Sequence, residues 1–296
     1  MGMAKGFLER LKSGVLVCDG AMGTMLQARG LIGGACPELW NRLHPERVQE
    51  VHQAYFSAGC DIVETNTFGG TRLKLKGYGL EKDVADLNYR GARLAKDVCP
   101  QGCFVAGSVG PTGRFLEPLG DVSPEEMYDA FKEQVIALAE GGADIICVET
   151  MMDTEEASIA VRAAKENTGL PVIATMTFEL DRNGYRTMMG IDAETAARKL
   201  TDAGADVVGC NCVNGPEIAF GVLKEMRPFT DRYLMAQPNA GLPQLIKGET
   251  VFSLDPEAYS QKYPILFEVR PNIVGGCCGT TPEHMALIVK LIKGNS

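Results

Sequence analysis

The chain repeats one pattern eight times: a short apolar run rich in valine and isoleucine, a polar or glycine-rich break, then a segment of helical period. The runs are residues 15–19, 61–67, 104–110, 144–150, 172–178, 206–212, 234–240 and 273–278. Helix starts are signalled by Ser123-Pro124-Glu125-Glu126 before Met127 to Ala139, and by Asp153-Thr154-Glu155-Glu156 before Ala157 to Lys165. Stops are equally regular, at Ala58-Gly59, Gly141-Gly142 and Ala203-Gly204. Short apolar strands alternating with amphipathic helices predict a parallel sheet, because each helix carries the chain back to the same edge. Eight such units, roughly thirty to fifty residues apart, predict an α/β fold of the (β/α)8 TIM barrel type, with function at the C-terminal strand ends. With no linker, low-complexity tract or charge block, residues 1–296 read as a single domain.

Polar residues sit where that fold needs them. Asp19, Thr65-Asn66-Thr67, Ser108, Glu149, Cys212, Asn239 and the pair Cys277-Cys278 all close apolar runs, so a barrel gathers them into one ring. Adjacent cysteines are poor disulfide partners, since a trans peptide holds their Cα atoms near 3.8 Å and a disulfide prefers about 4.4–6.8 Å. Gly275, Gly276 and Gly279 let the backbone bend so that both sulfurs face one point. Thr280 or Thr281, with Pro282 and Glu283, reads as the cap of a following helix. Cys212 then arrives from the sixth strand, giving three thiolates around one centre. Three protein ligands and an open position describe a catalytic zinc site. Two buried structural thiols are the plainer reading of the pair. Cys210 reads as core filling, on the same face as Cys212 but one layer deeper, by the two-residue period of a strand. Cys18 and Cys147 also read as core, and His44, His52 and His284 as helix residues rather than ligands.

Composition narrows the partners. A net charge of −9 without a basic run argues against nucleic acid and anionic membranes. No stretch has the length and apolarity of a membrane span, and Met1 to Leu11 lacks a signal-peptide core, so the cytoplasm is the expected compartment. Ten cysteines in a large, reduced chain favour metal binding or catalysis over disulfides, and with three histidines a soft-metal site must rest on sulfur.

Asp19-Gly20-Ala21-Met22-Gly23-Thr24, Glu64-Thr65-Asn66-Thr67-Phe68, Gly209-Cys210-Asn211-Cys212, Pro238-Asn239-Ala240-Gly241 and Gly275-Gly276-Cys277-Cys278-Gly279-Thr280 together resemble the zinc-dependent homocysteine S-methyltransferase family. The likeness is greatest to the homocysteine-binding N-terminal module of cobalamin-dependent methionine synthase. It runs through essentially the whole chain. It implies one Zn2+ per chain on Cys212, Cys277 and Cys278, and homocysteine bound through Asp19, Glu149 and Asn239. The expected activity is methylation of homocysteine, held as a zinc thiolate, to methionine. The chain shows no Asp-x-His-x-x-Gly segment for a corrinoid, so the expected donor is a methylcorrinoid on a separate protein. Pro264 and Pro271 depart from the family pattern and predict a kinked or shortened helix before the last strand.

Zinc answers a chemical need, since a free thiol of pKa about 8.5 is only slightly ionised at pH 7. Glu149 suits the substrate ammonium, and the Gly20-Ala21 turn offers N–H groups to its carboxylate. The Asn239 amide oxygen is placed to complete the zinc shell and yield to the substrate thiolate. Plainer roles are a turn for Asp19, a helix cap for Glu149 and a turn cap for Asn239. Competing functions are transfer to another small thiol or selenol, transfer from S-methylmethionine or betaine, and a non-catalytic zinc scaffold within a corrinoid complex.

Overall fold

In a computed structural model, which describes residues 2–246 and 249–294, all eight runs become strands. They are β1 (Leu16–Val17), β2 (Ile62–Glu64), β3 (Phe104–Val109), β4 (Ile145–Met151), β5 (Val172–Met176), β6 (Val207–Asn211), β7 (Tyr233–Gln237) and β8 (Ile273–Val274). Every pairing among them is parallel, in the order β1-β8-β7-β6-β5-β4-β3-β2. A parallel bridge between Cys18 and Ile62 joins the two ends of that order and closes the barrel. Asp61 secures the seam: its N–H donates to the Val17 carbonyl at 2.7 Å, and its carboxylate accepts from the Val17 N–H at 2.9 Å.

Each strand is followed by a helix that returns the chain: α1 (Pro45–Ser57), α2 (Val84–Asp97), α3 (Pro124–Gly141), α4 (Thr154–Thr168), α5 (Ala193–Asp202), α6 (Pro216–Met226), α7 (Pro256–Lys262) and α8 (Pro282–Lys293). The predicted caps form. Ser123 accepts from the Glu126 N–H at 3.1 Å, and Asp153 from the Glu155 N–H at 2.9 Å. Among the described residues, no helix is long and apolar enough to cross a membrane.

The strand period divides the core in two. Leu16, Ile62, Phe104, Ile145, Ile173, Val207, Met235 and Ile273 point inward, one from each strand. Phe7 and Leu11 of the helix Gly2–Ser13 join that cluster and close the N-terminal end, with the Phe7 and Phe104 rings 5.4 Å apart. Val17, Val63, Val105, Ile146, Ala174, Val208 and Val274 face outward against the helices. Continuing inward by two residues per strand leads to Cys18, Glu64, Cys147, Thr175 and Gln237, and then to Ser108, Glu149 and Asn211. The interior therefore changes from apolar to polar toward the C-terminal mouth.

This phase corrects the reading of Cys210. It fills core, as expected, but in the outer layer, where its thiol faces the Ala219 carbonyl of α6 at 3.9 Å. Cys212 does not share that direction because its φ of +56° turns the chain at the strand end. The proline-marked segment also resolves. Helix α7 ends at Lys262 and continues as a 3-10 helix, Tyr263–Val269, which is the predicted shortening.

Candidate metal and substrate site

Cys212, Cys277 and Cys278 converge at the mouth, with their three sulfurs within 4.8 Å of one another and the Cys212 and Cys278 sulfurs 3.8 Å apart. Two sulfurs each about 2.3 Å from a tetrahedral zinc would stand about 3.8 Å apart, so the spacing suits that ion. The loop bearing the pair is tightly braced. The Cys277 N–H donates to the Pro238 carbonyl at 2.9 Å, the Cys278 carbonyl accepts from Ala240, and the Gly276 N–H donates to the Asp19 carbonyl. Gly279 has a φ of +81° and lies so close to the Phe252 ring that a side chain would collide with it.

Three buried tyrosines support the same loops from below. Tyr263 donates to the Gly275 carbonyl at 2.7 Å, Tyr259 to the Pro238 carbonyl at 3.0 Å, and Tyr55 to the Ala21 carbonyl at 2.9 Å. Tyr259 and Tyr263 come from the shortened α7 segment, so its departure from a continuous helix serves the thiolate loop. Thr281 caps α8 in partnership with His284, whose Nδ1 accepts from the Thr281 N–H at 3.2 Å. Thr280 instead donates to the Cys277 carbonyl at 2.7 Å.

Hydrogen bonds from Cys212 and Cys277 push the Cys278 thiol down to about 3. Cys212 is raised to about 12: a hydrogen bond with Cys277 lowers it, but donation to Cys278, burial and the Cys278 charge outweigh that effect. Donation to Cys212 and Cys278, together with burial, raises Cys277 as well. An ion that drew all three sulfurs to thiolates would remove this mutual conflict.

The sulfurs open onto a cavity of 520 Å3, whose wall also includes Gly20, Ala21 and Glu149. Asp19 and Asn239 lie behind that wall, both buried. Asp19 is no turn residue: its carboxylate accepts from the Glu64 N–H at 3.0 Å and ties β1 to β2. Glu149 is no helix cap, since Asp153 caps α4. It accepts instead from Ser108 at 2.5 Å and from the Asn211 amide at 3.0 Å. The Asn239 Oδ1 is buried without a described partner. The Ala21 N–H donates to the Thr280 hydroxyl at 3.2 Å.

Glu64 is a site residue that its place in an apolar run concealed. It lines the cavity and accepts from Gln237 at 3.1 Å and from the Cys147 thiol at 3.2 Å. Burial, then the charge of Asp19, raise it to about 7. Burial also raises Asp19, and burial with the charge of Glu64 raises Glu149. Every described hydrogen-bond partner of these three acids is a neutral donor. For three buried carboxyls bonded only to neutral described donors, a positively charged group close by would lessen the burial penalty.

The sequence model for homocysteine S-methyltransferase matches residues 16–292. This chain belongs to the homocysteine S-methyltransferase family. Methionine synthases of Mycobacterium leprae and Mycobacterium tuberculosis are each 34% identical to it over 298 residues, covering 94% of this chain and 24% of theirs. The chain thus spans about a quarter of the length of those relatives. A crystal structure of the homocysteine methyltransferase MmuM from Escherichia coli, in its oxidized form, superposes with a TM-score of 0.77 at 25% identity, covering 97% of this chain and 99% of that one. The metallated form of MmuM, at 24% identity and the same TM-score, shares the barrel fold. Within this homocysteine S-methyltransferase barrel, the thiol trio and the acid cluster share one mouth.

Proposed function

We propose that this chain binds homocysteine at the mouth of the barrel and methylates its sulfur to give methionine. The observation that carries this reading is the convergence of three thiols beside a buried, uncompensated carboxylate, Glu149, on one cavity wall. Cys212, Cys277 and Cys278 would hold a single Zn2+, for which the sulfur spacing, the soft donor set and the orphaned Asn239 oxygen are all suitable. When bound, zinc supplies the Lewis acidity that keeps a substrate thiol ionised at neutral pH.

The residues of the chain do the rest. Glu149, held by Ser108, Thr150 and Asn211, would receive the substrate ammonium, whose charge would offset the burial that raises Glu149 together with Asp19 and Glu64. Gly20 and Ala21 border the cavity where the substrate carboxylate would lie. The substrate sulfur donates an electron pair to the methyl carbon, and the electrons of the methyl–donor bond leave with the donor. We assign a methylcorrinoid as that donor, supported by the 34% identity to methionine synthases and the cobalamin-dependent module the motifs resemble.

A second donor class is favoured by one feature. The Phe68 and Tyr78 rings line the cavity and could face an onium methyl group, as in S-methylmethionine or betaine. Turnover of homocysteine by zinc-loaded protein with methylcobalamin, S-methylmethionine and betaine, side by side, decides between them. Turnover with an onium donor and none with methylcobalamin would overturn the corrinoid assignment. No turnover with any of the three, by protein that binds zinc, would leave a metal-binding scaffold as the better reading.

A further inference from the structure

Asn211 is fully buried at the end of β6, and every hydrogen-bonding position of its side-chain amide is filled. The amide nitrogen donates to Glu149 Oε2 at 3.0 Å and to Thr150 Oγ1 at 2.6 Å. The amide oxygen accepts from the Thr150 N–H at 2.7 Å and from Thr175 Oγ1 at 2.8 Å. One side chain thereby bonds β4 and β5 while its own backbone leads directly into Cys212.

Thr150, which it bonds, and Cys212, which follows it in the chain, are both in unusual conformations. Thr150 has a φ of +59° and Cys212 a φ of +56°. The left-handed region is strained for a β-branched residue and persists only where surrounding bonds impose it. For Thr150, Asn211 supplies two of those bonds, one to the N–H and one to the hydroxyl. The register between β4 and β5 shifts between Val148 and Met151, so the strand is re-aimed at Glu149 itself. Cys212 is turned at the adjoining position.

We infer that Asn211 is a positioning residue that fixes the Glu149 carboxylate relative to the Cys212 sulfur, setting the span between ammonium and sulfur by which the site selects its amino-thiol. The inference rests on the homocysteine reading and adds to it. Homocysteine has one more methylene than cysteine between its Cα and its sulfur. A carboxylate held rigidly at one distance from the sulfur position therefore rewards one chain length and penalises the other. Ser108 holds one oxygen of Glu149, and Thr150 reaches the other only at 3.5 Å through a hydroxyl that Asn211 itself holds, so removing Asn211 takes away both the direct bond to that oxygen and the brace on Thr150.

The test is calorimetric titration of zinc-loaded protein with homocysteine, cysteine and 4-mercaptobutyrate, which is homocysteine without its ammonium. In Asn211→Ser, homocysteine binding should weaken at least tenfold and 4-mercaptobutyrate binding by less than twofold. The preference for homocysteine over cysteine should fall at least fivefold, and zinc should remain at one equivalent. Equal weakening of homocysteine and 4-mercaptobutyrate, or no weakening, overturns the inference. Should the serine variant fail to fold, Thr175→Val removes one bond to Asn211 without touching Glu149. It should weaken homocysteine alone, by two- to fivefold; no difference between the two ligands overturns the inference equally. Wild-type protein that binds homocysteine no better than 4-mercaptobutyrate would instead overturn Glu149 as the ammonium partner, and Asn211 with it.

Discussion

The Cys212 and Cys278 sulfurs stand 3.8 Å apart although 66 positions separate them in sequence. Closure of the barrel brings β6 and β8 to the two sides of β7. A left-handed turn then aims Cys212 across that strand. The barrel core of inward apolar residues is built beneath this point and does not depend on it.

Zinc should therefore bind at one equivalent per chain, and single replacements of Cys212, Cys277 or Cys278 by Ala should abolish both zinc retention and methyl transfer. Thermal unfolding of the metal-free variants should stay close to that of metal-free wild type. Metal analysis after dialysis and a transfer assay check this. Full activity in Cys277→Ala would exclude the trio as the metal site.

How much of this was readable beforehand differs between fold and site. The strands were legible because a parallel strand is buried on both faces and reads as an unbroken apolar run, as in Ile145-Ile146-Cys147-Val148. The thiols were legible because they close such runs. The direction of Cys210 was not, since it depends on which residues of β6 face inward and on the φ of Cys212, a backbone property its residue type does not announce. Glu64 and Asn211 were hidden for a related reason. A polar residue inside an apolar run shows its role only when the phase of the barrel interior is known. The strand-end position of Ser108 and Glu149 marked the correct ring, but not the bonds within it.

Tyr263→Phe should loosen the thiolate loop. The hydroxyl donates to the Gly275 carbonyl at 2.7 Å in a fully buried setting, and removing it leaves that acceptor with only the 3.4 Å contact from Tyr259. A loss of about 1–2 kcal/mol in unfolding free energy is expected. Zinc affinity, measured against a competing chelator, should fall by a few-fold. A stability loss with unchanged zinc affinity would show that this hydroxyl braces the barrel wall rather than the metal loop.

Asn239 should exchange roles when substrate arrives. Its side-chain oxygen is buried without a described partner, while hydrogen bonding to its side chain lowers Cys212. A neutral, hard oxygen is readily displaced by a soft thiolate. X-ray absorption of zinc-loaded protein should show three sulfurs and one light atom, changing to four sulfurs with homocysteine. Four sulfurs in the resting protein would mean that another thiol is a ligand and would sink the exchange.

His52 should make stability fall as the solution is acidified. It lies fully buried in α1, with neither ring nitrogen bonded to a described partner, and burial lowers it to about 4 from 6.5. Between those values the unfolded chain binds a proton that the folded chain refuses. Acid therefore favours unfolding through this residue. The effect is absent above about pH 7 and grows to on the order of 3 kcal/mol near pH 4. The buried acids Asp19, Glu64 and Glu149 act with the opposite sign, because their raised values make the folded chain take up protons first. Comparison of wild type with His52→Leu cancels that shared contribution. The stability difference between the two proteins, from urea unfolding at pH 7 and pH 5, should shift toward the leucine variant at the lower pH. An unchanged difference would mean that His52 finds a partner for its proton within the fold.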